Sequence, residues 1–358
     1  MTPIALDPSA TALDLDATLK KIAALKARLG DRLLILGHHY QVDDVIRFAD
    51  CTGDSFKLAR DGAARPNAEF IVFLGVHFMA ESADILAAPH QKVILPDLAA
   101  GCSMADMANI DQVEAAWAEL GGRDITPITY MNSSAAIKAF CGRNGGAVCT
   151  SSNARKIIEW ALAQNRRMLF LPDQHLGRNT CHAMGIPLSD MAVWDPHALP
   201  DDNLRAGCDR AKIVLWKGHC SVHVKFLPEH VDAMRAAHPG IQIIVHPECP
   251  IETVSKADQS GSTERLIKIV SDAPDGTAFA IGTEINLVSR LASQFPNKKI
   301  LSLSGISCLC ATMYRIDPAH LLWALENLAE GVVVNRIRVN DADKRDAKLA
   351  LDRMLALA

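Results

Sequence analysis

Three segments of the chain repeat the same features in the same order, and this repetition constrains the fold more than any single motif. Each segment opens with an apolar strand that ends in polar residues, passes through a hydroxyl-rich turn, and closes with an apolar strand followed by a cysteine. The segments run from His38 to Cys102, from Tyr130 to Cys220 and from His246 to Cys310. The middle one is longer because of an insertion around residues 186–210.

Short apolar runs recur at matching places in the three segments and alternate with helical patterns. They lie at residues 33–37, 70–75 and 92–95 in the first, 127–130, 168–172 and 212–216 in the second, and 243–245, 278–282 and 299–303 in the third. Near-continuous apolar strands separated by helices are typical of parallel sheets with right-handed crossovers. We therefore predict an α/β fold of three pseudo-repeated three-layer αβα domains, arranged with pseudo-threefold symmetry around a central cluster site.

The repeats also predict the domain boundaries, because each repeat contains one of the three cysteines. The predicted parts are an N-terminal helical segment at 1–30 with its helix at 11–29, repeat 1 at 31–123, repeat 2 at 124–238, repeat 3 at 239–317, and C-terminal helices at 318–358 that pack back on the core.

Composition narrows the class of protein. No apolar run reaches the length of a membrane span, and the start of the chain lacks the basic segment of a secretory signal, so we expect a cytoplasmic protein. A net charge of −4 gives no reason to expect binding to nucleic acid or to membranes. Ten cysteines without a secretory context indicate metal-binding or catalytic thiols among buried ones.

The three closing cysteines are a candidate metal site that only the fold can assemble. Cys102, Cys220 and Cys310 are far apart in sequence, unlike the close ligand pairs of structural zinc sites. Three thiolates rather than four suggest an iron–sulfur cluster with one iron open to substrate. Cys308 is the alternative to Cys310 as the third ligand. We favour Cys310 because the run after it is predicted to begin a helix. Three buried core cysteines are the alternative.

Polar residues follow the first strand of each repeat. In parallel sheets, functional residues collect beyond the carboxyl ends of the strands. The residues at these ends are His38, Tyr40, Tyr130, Asn132, His246 and Glu248.

Many short motifs together resemble quinolinate synthase, in one order and without a missing block from about residue 33 to 315. The motifs lie at residues 37–41, 53–55, 75–81, 101–106, 130–133, 149–154, 218–223, 245–249, 261–263 and 282–285. The resemblance implies a transferase that condenses iminoaspartate with dihydroxyacetone phosphate to quinolinate, with loss of phosphate and two waters, in NAD biosynthesis. It also implies three similar α/β domains around one [4Fe–4S] cluster, with Cys102, Cys220 and Cys310 as ligands and one open iron.

The strand-end positions, supported by the resemblance, give candidate roles for the polar set. Glu248 is the candidate general base and His246 its partner, and Tyr40 and Tyr130 are candidates to donate or relay protons. His38 and Asn132 contact substrate, as do Tyr130, His246 and Glu248. His39 stands where other members carry Asn, so it receives no role. Asn132 could instead cap the next helix.

Hydroxyl groups at predicted helix starts are candidate anion sites, because helix N-termini attract phosphate and carboxylate. They are Ser55, Ser151, Ser262 and Thr263. Plain helix capping is the alternative for each. Asp106, Glu81, Glu284, Asp173 and His175 also recur near the motifs but are left out of the predicted site.

Two other functions remain open at this point. One is a different [4Fe–4S] hydro-lyase acting on a hydroxy acid, and the other is a non-catalytic zinc or cluster regulator. The expected partners are the two small-molecule substrates, with a transient contact to the enzyme that makes the imine.

Overall fold

The computed structural model describes residues 14–164, 166–305 and 308–357. Its strands form three separate sheets. The first sheet contains β1 (Leu33–His38), β2 (Cys51–Gly53), β3 (Phe70–Leu74), β4 (Lys92–Ile94) and β14 (Arg336–Ile337); the second contains β5 (Ile125–Tyr130), β6 (Ala147–Cys149), β7 (Arg167–Leu171), β8 (Met191–Trp194) and β9 (Ile213–Trp216); the third contains β10 (Gln242–Val245), β11 (Gln259–Ser260), β12 (Ala278–Gly282) and β13 (Lys299–Ser302).

The three sheets share one strand order. In each, the second strand pairs with one edge of the first strand and the third strand pairs with its other edge, giving β2-β1-β3-β4, β6-β5-β7-β9 and β11-β10-β12-β13. All these pairs are parallel, and strands such as β1 and β5 are buried along their whole length. The predicted α/β fold is confirmed, whereas the pseudo-threefold arrangement and the domain boundaries stay predictions.

Two further strands extend the sheets. β8 comes from the insertion of the middle repeat and pairs with the outer edge of β9. β14 pairs antiparallel with β4 and is the exception to the parallel pattern in the described residues.

Helices alternate with the strands. They are α1 (Leu15–Leu29), α2 (Asp43–Ile46), α3 (Ser55–Ala63), α4 (His77–Leu86), α5 (Ser103–Asp106), α6 (Ile110–Glu119), α7 (Ala135–Arg143), α8 (Ala154–Leu162), α9 (Gln174–Ala183), α10 (Pro200–Arg205), α11 (Pro228–Ala237), α12 (Ile251–Lys256), α13 (Thr263–Asp272), α14 (Ile285–Gln294), α15 (Pro318–Ala329) and α16 (Asp341–Leu357). None of these helices is long and apolar enough to cross a lipid bilayer.

The first helix illustrates how local sequence sets an element. The Asp14 carboxylate caps α1 by accepting from the backbone N–H of Asp16, and the helix ends at Gly30, where φ is 53°. The predicted end at Gly30 is confirmed. The predicted start at residue 11 lies outside the described residues.

By contact density the described chain divides into two compact units. The first unit comprises residues 14–102 and 310–340 and holds the first sheet, with α15 packed on α1. The second comprises the described residues of 103–309 and 341–357 and holds the other two sheets.

In the second unit the C-terminal helix α16 packs on α7. The two backbones approach so closely that a Cβ at Gly142 would lie 1.8 Å from the carbonyl oxygen of Asp346. A glycine is therefore required at this crossing, because any side chain would push the helices apart.

Candidate active site

The predicted polar residues all lie at or just after the carboxyl end of the first strand of a sheet. His38 ends β1, Tyr130 ends β5, and His246 directly follows β10. In each sheet the next strand in the chain pairs with one edge of this first strand, and the strand after that pairs with its other edge. The carboxyl end of the first strand is therefore a topological switch point. Such points are where open α/β sheets bind ligands.

Glu248 is the centre of the most tightly connected group. Its carboxylate is buried in the second unit, and its Oε2 lies 2.6 Å from Nδ1 of His223. The hydroxyl of Tyr130 also donates to this carboxylate. A carboxylate with these two donors is satisfied even though it is cut off from water.

These contacts determine the ionisation of Glu248. Burial alone opposes the negative charge, but the His223 ring and the hydrogen bonds from His223 and Tyr130 hold the pKa of Glu248 below its ordinary range. Glu248 is therefore ionised at neutral pH. This is the state from which a general base starts.

His246 is neutral beside it. Burial lowers the pKa of His246 to about 3, and its Nδ1 accepts a hydrogen bond of 3.3 Å from the backbone N–H of Glu248. In a neutral imidazole that accepts through Nδ1, the proton sits on Nε2. His246 can thus donate a hydrogen bond to a substrate oxygen rather than remove a proton.

The loop that carries Glu248 is held from behind by Asn179 of α9. The side-chain amide of this buried residue donates to the carbonyl oxygens of Pro247 and Cys249, each at 2.8 Å. These two carbonyls flank Glu248 in sequence. One side chain therefore fixes the backbone on both sides of the carboxylate.

Asn132 has an unused acceptor. Its Oδ1 is buried and has no hydrogen-bond partner in the described residues. The residue that caps α7 is Ser134, whose hydroxyl accepts from the N–H of Ile137. Asn132 is thus not the helix cap, and its oxygen is suited to accept a hydrogen bond from a ligand.

In the first unit, His38 and Tyr40 contact each other at the end of β1. Their rings meet edge to face with centroids 4.8 Å apart, and Nδ1 of His38 accepts from the backbone N–H of Tyr40 at 3.2 Å. In the neutral ring this leaves the proton of His38 on Nε2. His38 is buried, whereas Tyr40 is partly exposed.

The loop before Cys102 is anchored to the segment after Cys310, within the same unit. Asp97 forms an ion pair of 2.7 Å with Nε of Arg315, and the carbonyl of Pro96 accepts from the side chain of Asn335. Met313–Arg315 is a short 3₁₀ helix rather than the α-helix that the sequence predicts after Cys310. Its first N–H donates to the carbonyl of Cys310.

Cys220 follows β9 in the second unit, two residues after a glycine that cannot be replaced. Gly218 pairs with Asp173, and a Cβ on Gly218 would lie 2.1 Å from the carbonyl oxygen of Pro172. This close approach sets the path of the chain into Cys220. Asp173 itself caps α9, accepting from two backbone N–H groups, which is a structural role.

The ten cysteines differ in burial. Cys102, Cys220 and Cys310 are partly exposed, as is Cys51 in β2. The six others are buried, among them Cys308. For five of these, burial raises the thiol pKa and disfavours the thiolate: Cys141, Cys149, Cys181, Cys208 and Cys249.

Cys220, His223 and Glu248 also bring ligand atoms within 4.8 Å of one another, as a metal site would. The separation of 2.6 Å between His223 and Glu248 argues against a shared zinc, however. Two ligands at tetrahedral angles on a zinc about 2.0 Å away would be roughly 3.3 Å apart. The contact instead pairs the imidazole directly with the carboxylate.

The hydroxyl groups predicted at helix starts divide into three kinds. Ser262 is the N-cap of α13 and accepts from the N–H of Arg265, so capping is part of its role. Ser55 and Thr263 are first residues of α3 and α13. Ser151 lies in the turn before α8.

Comparison with known proteins adds the family. The model of the quinolinate synthetase A protein family matches residues 20–356. The chain belongs to this family. A quinolinate synthase of Acidobacterium capsulatum is 59% identical over 98% of this chain and 97% of its own length. A quinolinate synthase of a Nocardioides species is 59% identical over 95% of this chain and 89% of its own length. A quinolinate synthase of a Geobacillus species is 57% identical over 94% of this chain and 93% of its own length.

Sequence reasoning missed three residues that lie around Glu248. His223 lies inside the motif at 218–223, three residues after Cys220, and this position was the one available signal. Thr283 follows β12 and contacts Nε2 of His223 at 3.1 Å. Thr283 lies inside the motif at 282–285, which is the signal that could have found it, whereas Asn179 lies mid-helix in α9, outside all the motifs.

Proposed function

We propose that the chain is a quinolinate synthase, which condenses iminoaspartate with dihydroxyacetone phosphate and releases phosphate and two waters. The observation that carries this proposal is the buried, ionised Glu248, with Tyr130 as its donor and neutral His246 beside it. A reaction that forms a ring and loses two waters needs both an acceptor and donors of protons in one place. The names of the relatives agree with this chemistry.

The proposed cofactor is a [4Fe–4S] cluster with Cys102, Cys220 and Cys310 as ligands. Their partial exposure supports this choice, because the thiols with raised pKa are poor ligands. Cys308 is buried with its Sγ 3.3 Å from the Ser304 hydroxyl, which favours Cys310. When bound, a cluster with one open iron supplies a Lewis acid for loss of water.

The chain's own side chains supply binding and proton transfer. Glu248 accepts a proton from the carbon of the substrate, and the Tyr130 hydroxyl that bonds to it stabilises the carboxylate and can return a proton. Nε2–H of His246 donates to a substrate oxygen. The unused Oδ1 of Asn132 accepts from a hydroxyl or N–H of the substrate.

His38 and Tyr40 are proposed to bind substrate and to donate a proton, respectively. The hydroxyl and backbone N–H groups near the helix starts are proposed to hold phosphate and carboxylate without a lysine. They belong to Ser55, Ser151, Ser262 and Thr263.

Location and partners follow from the same proposal. A cytoplasmic transferase of NAD biosynthesis would meet its unstable imine substrate close to the enzyme that makes it. We therefore propose a transient contact with that enzyme. We propose no binding to nucleic acid or to a membrane.

The test is direct synthesis. Protein purified without oxygen is mixed with dihydroxyacetone phosphate and freshly generated iminoaspartate, and quinolinate and phosphate are quantified. Equal amounts of both products support the proposal. Water loss from a hydroxy acid without need of the triose phosphate would instead indicate a hydro-lyase, and zinc without turnover would indicate a regulator.

A further inference from the structure

We infer that Lys138 is a positioning residue, whose buried ammonium holds the turn that aims Asn132 at the substrate. The inference rests on the proposed function, in which Oδ1 of Asn132 accepts a hydrogen bond from the substrate. Lys138 belongs to α7 in the second unit, and its side chain is 0% exposed. The proposed proton transfers make no use of it.

An ammonium is costly to bury, because it leaves its water shell behind. An apolar side chain would fill the same space in α7 at lower cost. The contacts of the Lys138 ammonium therefore indicate what the lysine is for. Its Nζ donates to the backbone carbonyl of Ser133, five residues earlier in the chain.

That carbonyl closes a short turn around Asn132. The backbone N–H of Ser133 donates to the carbonyl of Met131 at 2.8 Å, which makes Asn132 the central residue of a three-residue turn. The φ of Asn132 is negative, as in the inverse γ-turns that are common at strand ends. One backbone hydrogen bond closes such a turn, so its shape depends on contacts from outside it.

Two buried side chains supply those contacts, one on each side of Asn132. The Ser133 hydroxyl donates to the carbonyl of Tyr130 at 2.8 Å, and Lys138 donates to the carbonyl of Ser133. Ser133 is itself 0% exposed. The peptide units before and after Asn132 are both fixed in this way.

The hold is anchored on a rigid helix. α7 is buried along most of its length and packs on α16. A hydrogen bond from a charged donor is stronger than one between neutral groups, so Lys138 ties the turn firmly to this helix. The unused Oδ1 of Asn132 is thus oriented before the substrate arrives.

Three variants of Lys138 test the hold. Lys138→Met removes the ammonium at similar length, and Lys138→Gln removes the charge on a shorter stem, which keeps the test possible if the Met protein does not fold. In both we expect the KM of one substrate to rise about tenfold, with kcat within about threefold, because Asn132 binds and transfers no proton. Lys138→Arg keeps a charged donor and should stay within about threefold of the wild-type KM. An unchanged KM in the Met and Gln proteins would overturn the inference.

Asn132→Ala shows whether Lys138 acts through Asn132. It should raise the KM of the same substrate as Lys138→Met and leave the other KM within about twofold. In the double variant, the second substitution should then raise this KM by less than about twofold. If the two single effects multiply instead, Lys138 acts independently of Asn132 and the inference is wrong.

Lys298→Met is the matched control. Lys298 is a buried lysine of the same unit, just before β13, and its Nζ donates to the carbonyls of Val270 at 2.6 Å and Ser271 at 3.2 Å. This variant should lose stability and keep KM and kcat within about twofold of wild type. A rise in KM equal to that of Lys138→Met would show a general effect of losing a buried ammonium and refute the inference.

Hydrogen exchange tests the hold without knowledge of the reaction. The N–H of Met131 donates to the carbonyl of Cys149 at 2.7 Å, and the N–H of Ser133 closes the turn. Exchange in the peptide that covers residues 130–134 should be at least about tenfold faster in Lys138→Met and Lys138→Gln, and within about twofold of wild type in Lys298→Met.

The two kinds of measurement fail separately. A wild type that makes no quinolinate would refute the proposed function, and hydrogen exchange would then decide alone whether Lys138 holds the turn. Equal exchange at residues 130–134 in wild type and in the Met and Gln variants would overturn the hold itself.

Discussion

Asn179 offers a prediction whose size can be worked out from the structure. Asn179→Ala removes two hydrogen bonds of 2.8 Å and leaves the carbonyls of Pro247 and Cys249 buried without their donor. Each unsatisfied buried group costs about 1–3 kcal/mol, and partial relaxation brings the expected total loss of unfolding free energy to roughly 2–4 kcal/mol. For a unit of this size that is a fall in melting temperature of about 5–10 °C.

The activity should fall as well, because the freed loop carries Glu248. A displacement on the order of 1 Å in a catalytic group can reduce the rate about a hundredfold, so we expect a loss of about 10- to 100-fold in kcat. Both quantities are measured on the same preparations, by differential scanning calorimetry and by quinolinate formation.

Asn203 supplies a control of the same residue type and similar burial. Its amide exchanges two hydrogen bonds with the backbone of Asp195, at 2.7 and 2.9 Å, in the insertion of the middle repeat. Asn203→Ala should lose similar stability and keep kcat within about twofold. If Asn179→Ala destabilises the protein as much as Asn203→Ala and yet keeps full kcat, the hold on Glu248 has no catalytic consequence and the reasoning is refuted.

Three shorter predictions concern neighbouring residues. Gly218→Ala should lower soluble yield and iron content, because its Cβ would lie 2.1 Å from the Pro172 carbonyl oxygen; iron content equal to wild type would contradict this. Tyr130→Phe removes a donor to Glu248 and should lower kcat about 10- to 100-fold with iron unchanged, as iron assays and steady-state kinetics would show. The folded pKa of His246 is about 3 against 6.5 unfolded, so as pH falls below 6.5 the unfolded chain binds the proton and stability drops by up to about 1.4 kcal/mol per pH unit. Urea unfolding from pH 7.5 to 5 should show a shallower decline in His246→Gln, and an equal slope in both proteins would contradict the assignment.

Much of the fold could be predicted because its signals are local. Apolar runs mark the long strands, and hydroxyl-rich turns mark the starts of α3, α8 and α13. The short strands β2, β6 and β11 were missed because two or three residues carry no periodicity. The antiparallel strand β14 depends on pairing between Ile337 and Val93, which are distant in sequence.

The residues of the candidate site also differ in whether the sequence predicts them. His246 and Glu248 are predictable because they directly follow an apolar strand, and strand ends are where sites form. Asn179 is not, because it lies outside the motifs and is defined by a tertiary contact. Thr283 lies within the motif at 282–285, but only the fold brings it to His223. The helix predicted after Cys310 proved to be a single 3₁₀ turn. Nothing in the pattern of residues 311–315 distinguishes the two.

The ligand set of the proposed cluster is the central claim, and iron and acid-labile sulfide measured on protein purified without oxygen test it most directly. We expect about four of each per chain in wild type and in the buried-cysteine controls Cys181→Ala and Cys308→Ala. The variants Cys102→Ala, Cys220→Ala and Cys310→Ala should each lose the iron together with quinolinate synthesis. A full complement of iron and full turnover in any one of these three would contradict the account.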